Sequence, residues 1–128
     1  MGKEILVIEE NTELCASLAR SLTDAGYSVL TSSDRVGALY QLGLHKPDLV
    51  VLGDAEPDLL PRLRELTEAP IIALTANDLA SRIGSLDRGA DFVVVKPPSN
   101  RELMAKMRAS FRRLEQPLVR LDRARERA

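Results

Sequence analysis

The sequence predicts an α/β fold with a doubly wound parallel sheet, because short apolar runs alternate with longer amphipathic stretches along the chain. Four of the five runs, over residues 5–8, 49–52, 71–74 and 92–95, are apolar throughout, as expected for strands that are covered on both faces. Each run is followed by a stretch with apolar residues three or four positions apart, the spacing of one helix face. Five such units predict a (βα)5 architecture.

The first unit pairs a strand over residues 5–8 with a helix over residues 12–25. Either Asn11 or Thr12 can cap the start of this helix, and Gly26 supplies its C-terminal stop. The predicted inner face of the helix consists of Leu14, Leu18 and Leu22.

The second unit is a strand over residues 27–31 and a helix over residues 34–45, with Val36, Leu39 and Leu42 on the predicted inner face. The third unit is a strand over residues 49–52 and a helix of barely two turns. In that helix Pro61 should lie in the first turn, since proline lacks a backbone donor. Its apolar residues are Leu60, Leu63 and Leu66.

The fourth unit is a strand over residues 71–74 and a helix that ends at Gly89, with Leu79, Ile83 and Leu86 on the predicted inner face. The fifth is a strand over residues 92–95 and a helix that Ser99 or Asn100 can cap. The predicted inner face of the last helix consists of Leu103, Met107, Phe111 and Leu114.

Polar residues and a glycine follow the strands where each strand ends. Glu9 and Glu10 follow the first strand, Gly53 the third, Thr75 the fourth and Lys96 the fifth. Functional crevices of doubly wound sheets lie at the carboxyl ends of the strands. The sequence therefore predicts a site at this edge of the sheet.

These residues, with Pro57 after Gly53 and Pro97 after Lys96, resemble the receiver domain of bacterial response regulators over about residues 3–115. The resemblance implies a flavodoxin-like receiver fold with strand order 2-1-3-4-5. In that family the position of Gly53 holds the aspartate that accepts phosphate. Since glycine has no side chain to phosphorylate, we expect no phosphoacceptor and no catalytic residue here, and the chain is not expected to be an enzyme.

The rest of the site is interpreted as a vestigial acidic pocket made of Glu9, Glu10, Thr75 and Lys96. The resemblance implies that the glutamate pair replaces the acids that hold Mg²⁺, that Thr75 is the switch hydroxyl, and that the Lys96–Pro97 bond is cis. Without the acceptor carboxylate we expect no metal and no cofactor, and Lys96 should pair with Glu9 or Glu10.

A switch aromatic is also missing, because Val93 stands at its position. Phe92 is one place off and, by strand alternation, should face the other way. The leading hypothesis is therefore a phosphorylation-independent receiver that controls an output, here transcription, through protein contacts. Two alternatives stay open: phosphotransfer to Asp54 with Mg²⁺, and a small-ligand sensor that uses the vacated pocket.

Composition and charge bound the remaining functions. No stretch approaches the roughly 18 apolar residues of a membrane span, and one cysteine, Cys15, excludes an internal disulfide, so a cytoplasmic protein without membrane contact is expected. Residues 1–100 hold 9 Lys and Arg against 15 Asp and Glu, whereas residues 101–128 hold 9 against 4. The positive charge is thus concentrated at the C-terminal end of the chain.

Two segments follow from this division. Residues 1–115 are predicted to form the receiver-like domain, and residues 116–128 a basic tail or the start of a linker to an effector domain. Leu118, Val119 and Leu121 after Pro117 resemble the linker and first strand of winged-helix response regulators. The expected partners are a second copy, bound through the fourth and fifth helices and the strand between them, and an effector. DNA would be reached only through an effector domain not present in this chain.

Overall fold

Five parallel strands form one sheet in the order β2-β1-β3-β4-β5 in the computed structural model of the protein. The structure describes residues 2–53 and 58–115, so Asp54, Pro57 and the tail 116–128 lie outside the described residues. The predicted fold class and strand order are confirmed. The elements are β1 (Glu4–Ile8), α1 (Thr12–Asp24), β2 (Ser28–Ser32), α2 (Arg35–Leu44), β3 (Leu49–Leu52), α3 (Leu59–Leu66), β4 (Ile71–Thr75), α4 (Leu79–Asp87), β5 (Phe92–Val95) and α5 (Asn100–Glu115).

The core consists of two apolar layers, one on each face of the sheet. Alternate residues of β1 divide between them, so Ile5 and Val7 face the layer of α1 and α5, and Leu6 and Ile8 face the layer of α2 and α3. The strands β1, β3 and β4 are almost wholly buried. Burial on both faces explains why their sequences are continuously apolar.

Side-chain caps fix the starts of the helices where the sequence predicts them. Asn11 accepts a hydrogen bond from the Leu14 amide at 3.0 Å, and Ser99 accepts one from the Glu102 amide at 3.3 Å. Gly26 and Gly89 follow α1 and α4 with φ of 100° and 122°, a backbone conformation that L side chains rarely adopt. The predicted ends of these two helices are therefore confirmed.

The predicted inner faces of α1 and α5 are largely correct, since Leu18, Leu22, Leu103, Met107 and Phe111 are buried. Leu14 is half-buried and packs against the same layer. The prediction was wrong for Leu114, which is exposed at the end of α5. Leu114 lies in the last turn, beyond the part of α5 that faces the sheet.

The predicted inner face of α2 is correct for two of its three residues, whereas that of α4 is wrong. Val36 is 77% exposed, whereas the helix buries Ala38 and half-buries Leu39 and Leu42. In α4 the whole predicted face points outward: Leu79, Ile83 and Leu86 are exposed. The side of α4 that faces the sheet instead carries Ser85, because a small side chain lets a helix lie close to its strands.

The short third helix matches its prediction in length and in the place of Pro61. It covers eight residues, buries Leu60 and Leu63, and has Pro61 as its third residue. Leu66, at the last position, is exposed. Within the described residues, no helix is long and apolar enough to cross a membrane.

Candidate functional site

The carboxyl ends of β1, β3, β4 and β5 bring the predicted site residues to one edge of the sheet. The Gly53 amide donates to the Ile8 carbonyl at 2.8 Å, so Gly53 lies beside the end of β1. The Lys96 amide donates to the Thr75 carbonyl, also at 2.8 Å. These backbone bonds continue the parallel ladders past the strand ends, which places both pairs of residues around the crevice.

Glu9 is the central side chain of this edge, with only 2% of it exposed. Its Oε1 lies 3.0 Å from Nζ of Lys96, and its Oε2 accepts a hydrogen bond from the Asn11 amide at 2.8 Å. Oε1 meets no hydrogen-bond partner of suitable geometry, so its contact with Lys96 is an ion pair. The predicted pairing of Lys96 is thus confirmed for Glu9.

Gly53 makes room for this carboxylate. A Cβ atom built on Gly53 would overlap the van der Waals surface of Oε1 of Glu9 and would lie 3.0 Å from its carboxyl carbon. Real Cβ atoms do not approach other heavy atoms so closely, so the Glu9 side chain occupies the space into which any side chain at position 53 would begin to extend.

The remaining two residues of the predicted pocket differ in exposure. Thr75 is buried at the end of β4, and its Oγ1 has no hydrogen-bond partner among the described atoms. Glu10 is exposed and lines, with Gly53 and Ser33, a space of only about 20 Å³. This space between Glu10, Gly53 and Ser33 has room for about one water molecule.

The aromatic residue of β5 faces away from this crevice, as strand alternation predicts. Phe92 packs against the core layer of α1 and α5, on the same face of the strand as Val94. Val93 has the opposite orientation. The Lys96–Pro97 peptide bond is cis, in agreement with the resemblance.

The described residues do not fit a Mg²⁺ site. Magnesium requires oxygen ligands in near-octahedral geometry. Both oxygens of Glu9 are engaged, one by Lys96 and one by the Asn11 amide, and Gly53 supplies no side-chain oxygen. No group of three acidic, histidine or cysteine side chains that could hold a metal occurs within residues 2–53 and 58–115.

A groove of about 670 Å³ between α1 and α2 was not predicted from the sequence. Its lining includes Thr12 and Ala16 of α1, Ser32 of β2, and Tyr40 and Gln41 of α2. The sequence carried no signal for it, because the groove depends on how far apart two helices pack over an edge strand.

Comparisons with known proteins agree with this geometry. The sequence profile of the response regulator receiver domain matches residues 5–108. The chain is 38% identical to the transcriptional regulatory protein KdpE of Mycobacterium tuberculosis, covering 92% of this chain and 58% of that protein. It is 42% identical to the response regulator MprA of a Mycobacterium species, covering 88% of this chain and 52% of that protein. The chain thus spans about half the length of these curated relatives.

Solved structures show the same fold. A two-component response regulator from Clostridium difficile superposes with a TM-score of 0.83 at 26% identity, covering 88% of this chain and 98% of that one. A response regulator from Burkholderia pseudomallei, solved with a phosphorylated aspartic acid, calcium ion and citrate, has a TM-score of 0.75 at 26% identity, covering 90% and 75%. On its sequence, its strand order and the residues at its strand ends, the chain belongs to the response regulator receiver domain family.

Proposed function

We propose that this receiver domain controls an output without aspartyl phosphorylation. The observation that carries the proposal is Gly53, which lies at the carboxyl end of β3 beside Glu9 and offers no carboxylate. Phosphoryl transfer to a receiver needs an oxygen nucleophile at this position and a metal that neutralises the developing charge. Neither requirement is met by the described residues, since Glu9 is already paired with Lys96.

We further infer that the output is transcription. KdpE is named a transcriptional regulatory protein, and this chain spans 58% of its length. The remaining part of such a relative would be the effector, and any contact with DNA would be made by that part. The tail 116–128, which we interpret as the start of a linker, lies outside the described residues.

A second copy of this chain is the partner that the surface of α4 favours. Leu79, Ile83 and Leu86 form an exposed apolar stripe on α4, next to β5. Arg82, Arg88 and Asp87 flank the stripe and are exposed, so charges of both signs border it. A contiguous apolar patch with a polar rim is the usual anatomy of a protein interface.

Phosphotransfer to Asp54 is the second candidate function, and one experiment distinguishes it from the proposed function. The purified chain is incubated with Mg²⁺ and acetyl phosphate, and its intact mass is measured beside a receiver that has an acceptor aspartate. We expect no phosphoryl group on this chain and one on the control receiver. A gain of one phosphoryl group that is lost in Asp54→Asn would establish Asp54 as the acceptor and refute the proposed function.

A further inference from the structure

We propose that Glu9 and Gly53 act as one coupled pair, in which the Glu9 carboxylate replaces the acceptor side chain and Gly53 is required to admit it. The inference rests on the proposed function and adds the residue that closes the acceptor position. Glu9 acts at this place through its carboxylate, which forms an ion pair with Lys96. Gly53 is a positioning residue that acts only through Glu9.

A side chain at position 53 would collide with the carboxylate of Glu9. The nearest atom to a Cβ built on Gly53 is Oε1 of Glu9, the same oxygen that pairs with Lys96. The next nearest is the carboxyl carbon of Glu9, and the Ile8 carbonyl follows at 3.4 Å, an ordinary contact. The space at position 53 is therefore taken by one side chain and not by the backbone around it.

Two contacts hold the Glu9 carboxylate beside Gly53. The Asn11 amide donates to Oε2 at 2.8 Å and Nζ of Lys96 lies 3.0 Å from Oε1, so the carboxylate is held at both oxygens while it is 2% exposed. A buried carboxylate is retained only where charge and hydrogen bonds compensate its desolvation. Any residue larger than glycine at position 53 would displace Oε1 from its present position and so disturb the contacts that provide this compensation.

The backbone conformation of Gly53 does not by itself require glycine. Positive φ angles among the glycines occur only at Gly26 and Gly89, so alanine is compatible with the backbone at position 53. Replacing glycine by alanine at a compatible position stabilises a protein by restricting the unfolded chain. Gly53→Ala should therefore stabilise the domain unless Glu9 stands in its way.

The effect of Gly53→Ala on the melting temperature should therefore change sign with the residue at position 9, in a double-mutant cycle measured by thermal unfolding. In the parent chain Gly53→Ala should lower the melting temperature. In the Glu9→Ala background the same substitution should raise it by about 2–4 °C. In the Glu9→Gln background, which keeps the size of the side chain and removes its charge, Gly53→Ala should still lower it.

Gly43→Ala is the matched control, because a Cβ at Gly43, in α2, meets no atom within 4 Å. It should raise the melting temperature equally in all three backgrounds. If Glu9→Ala does not fold, Glu9→Asp serves in its place, since the shorter side chain also withdraws the carboxylate.

An equal effect of Gly53→Ala in all backgrounds would overturn the coupling, as would a rise in the parent chain. Neither result depends on whether the chain takes up phosphate, so the coupling and the proposed function fail separately.

Discussion

At the scale of single residues, the pKa of the Cys15 thiol depends on the charge of Glu9. Cys15 lies on α1 in the core, and burial raises the pKa of its thiol, with the negative charge of Glu9 as the second cause. A raised pKa means that the folded protein holds the thiol proton more tightly than the unfolded chain. Stability from this group is therefore full below the pKa that the thiol has in the unfolded chain, and is lost as pH rises through its higher pKa in the folded protein.

Alkylation of Cys15 with iodoacetamide measures this effect, since the thiolate is the reactive form. In the parent chain the midpoint of the rate against pH should lie above that of the same chain in denaturant. Glu9→Gln should move the midpoint to lower pH, because it removes the negative charge. The midpoint should stay above the denatured value, because burial is the larger cause. Identical profiles for the parent and Glu9→Gln would contradict the assignment.

Part of the site could be predicted from single residues of the sequence. The order of residues at the strand ends predicted that Glu9, Gly53, Thr75 and Lys96 share one edge, and the ion pair of Lys96 with a glutamate followed from opposite charges. Which glutamate turns inward did not follow, because Glu9 and Glu10 are adjacent and chemically identical. Only the backbone at the end of β1 directs Glu9 into the sheet edge and Glu10 to solvent.

At the scale of elements, Arg64 connects the short helix α3 to the chain between α4 and β5. Its guanidinium donates to the Thr67 and Ala69 carbonyls at 2.9 and 2.6 Å and to the Gly89 carbonyl at 3.2 Å. It also pairs with Asp91 at 3.0 Å, and Asp91 accepts from the Ile71 amide at 2.8 Å. Asp91 is therefore held by contacts within the domain.

Arg64→Ala should destabilise the domain by about 2 kcal/mol, since several hydrogen bonds to a charged group are lost together. Arg64→Lys should recover only part of this, because an ammonium group cannot reproduce the fork of a guanidinium. Arg62→Ala is the control on the same helix: its pair with Glu65 is exposed and should contribute less than about 1 kcal/mol. Urea unfolding of the three variants checks this order, and an equal loss for Arg62→Ala and Arg64→Ala would refute it.

The helices also show where periodicity is insufficient. Apolar spacing located α4 correctly, but its regularly spaced apolar residues face outward. The spacing of Leu79, Ile83 and Leu86 defines one side of a helix and does not say what covers it. The side of α4 that meets the sheet carries Ser85, whose small polar side chain gives no apolar signal.

At the scale of the whole molecule, the alternation of strands and helices is enough to predict the layers, the parallel sheet and the position of the crevice. The same alternation does not show which surfaces of the layers remain uncovered, because that depends on the tilt and distance of each helix. The exposed apolar stripe on α4 is one such uncovered surface. Because it could be covered by a second copy of the chain, the oligomeric state of the chain is the property to measure.

In sedimentation measurements, we expect the apparent mass of the chain to increase with its concentration toward the mass of a dimer. Ile83 is 46% exposed in the middle of the α4 stripe, and Ile83→Glu should abolish the increase because it buries an unpaired charge in the interface. Val36→Glu is the matched control, since Val36 is an exposed apolar residue of α2, outside the stripe. Both positions are exposed, so neither variant should change the free energy of unfolding of the monomer by more than about 0.5 kcal/mol. A parent chain that stays monomeric at all concentrations, or an equal effect of the two variants, would exclude α4 as the dimer surface.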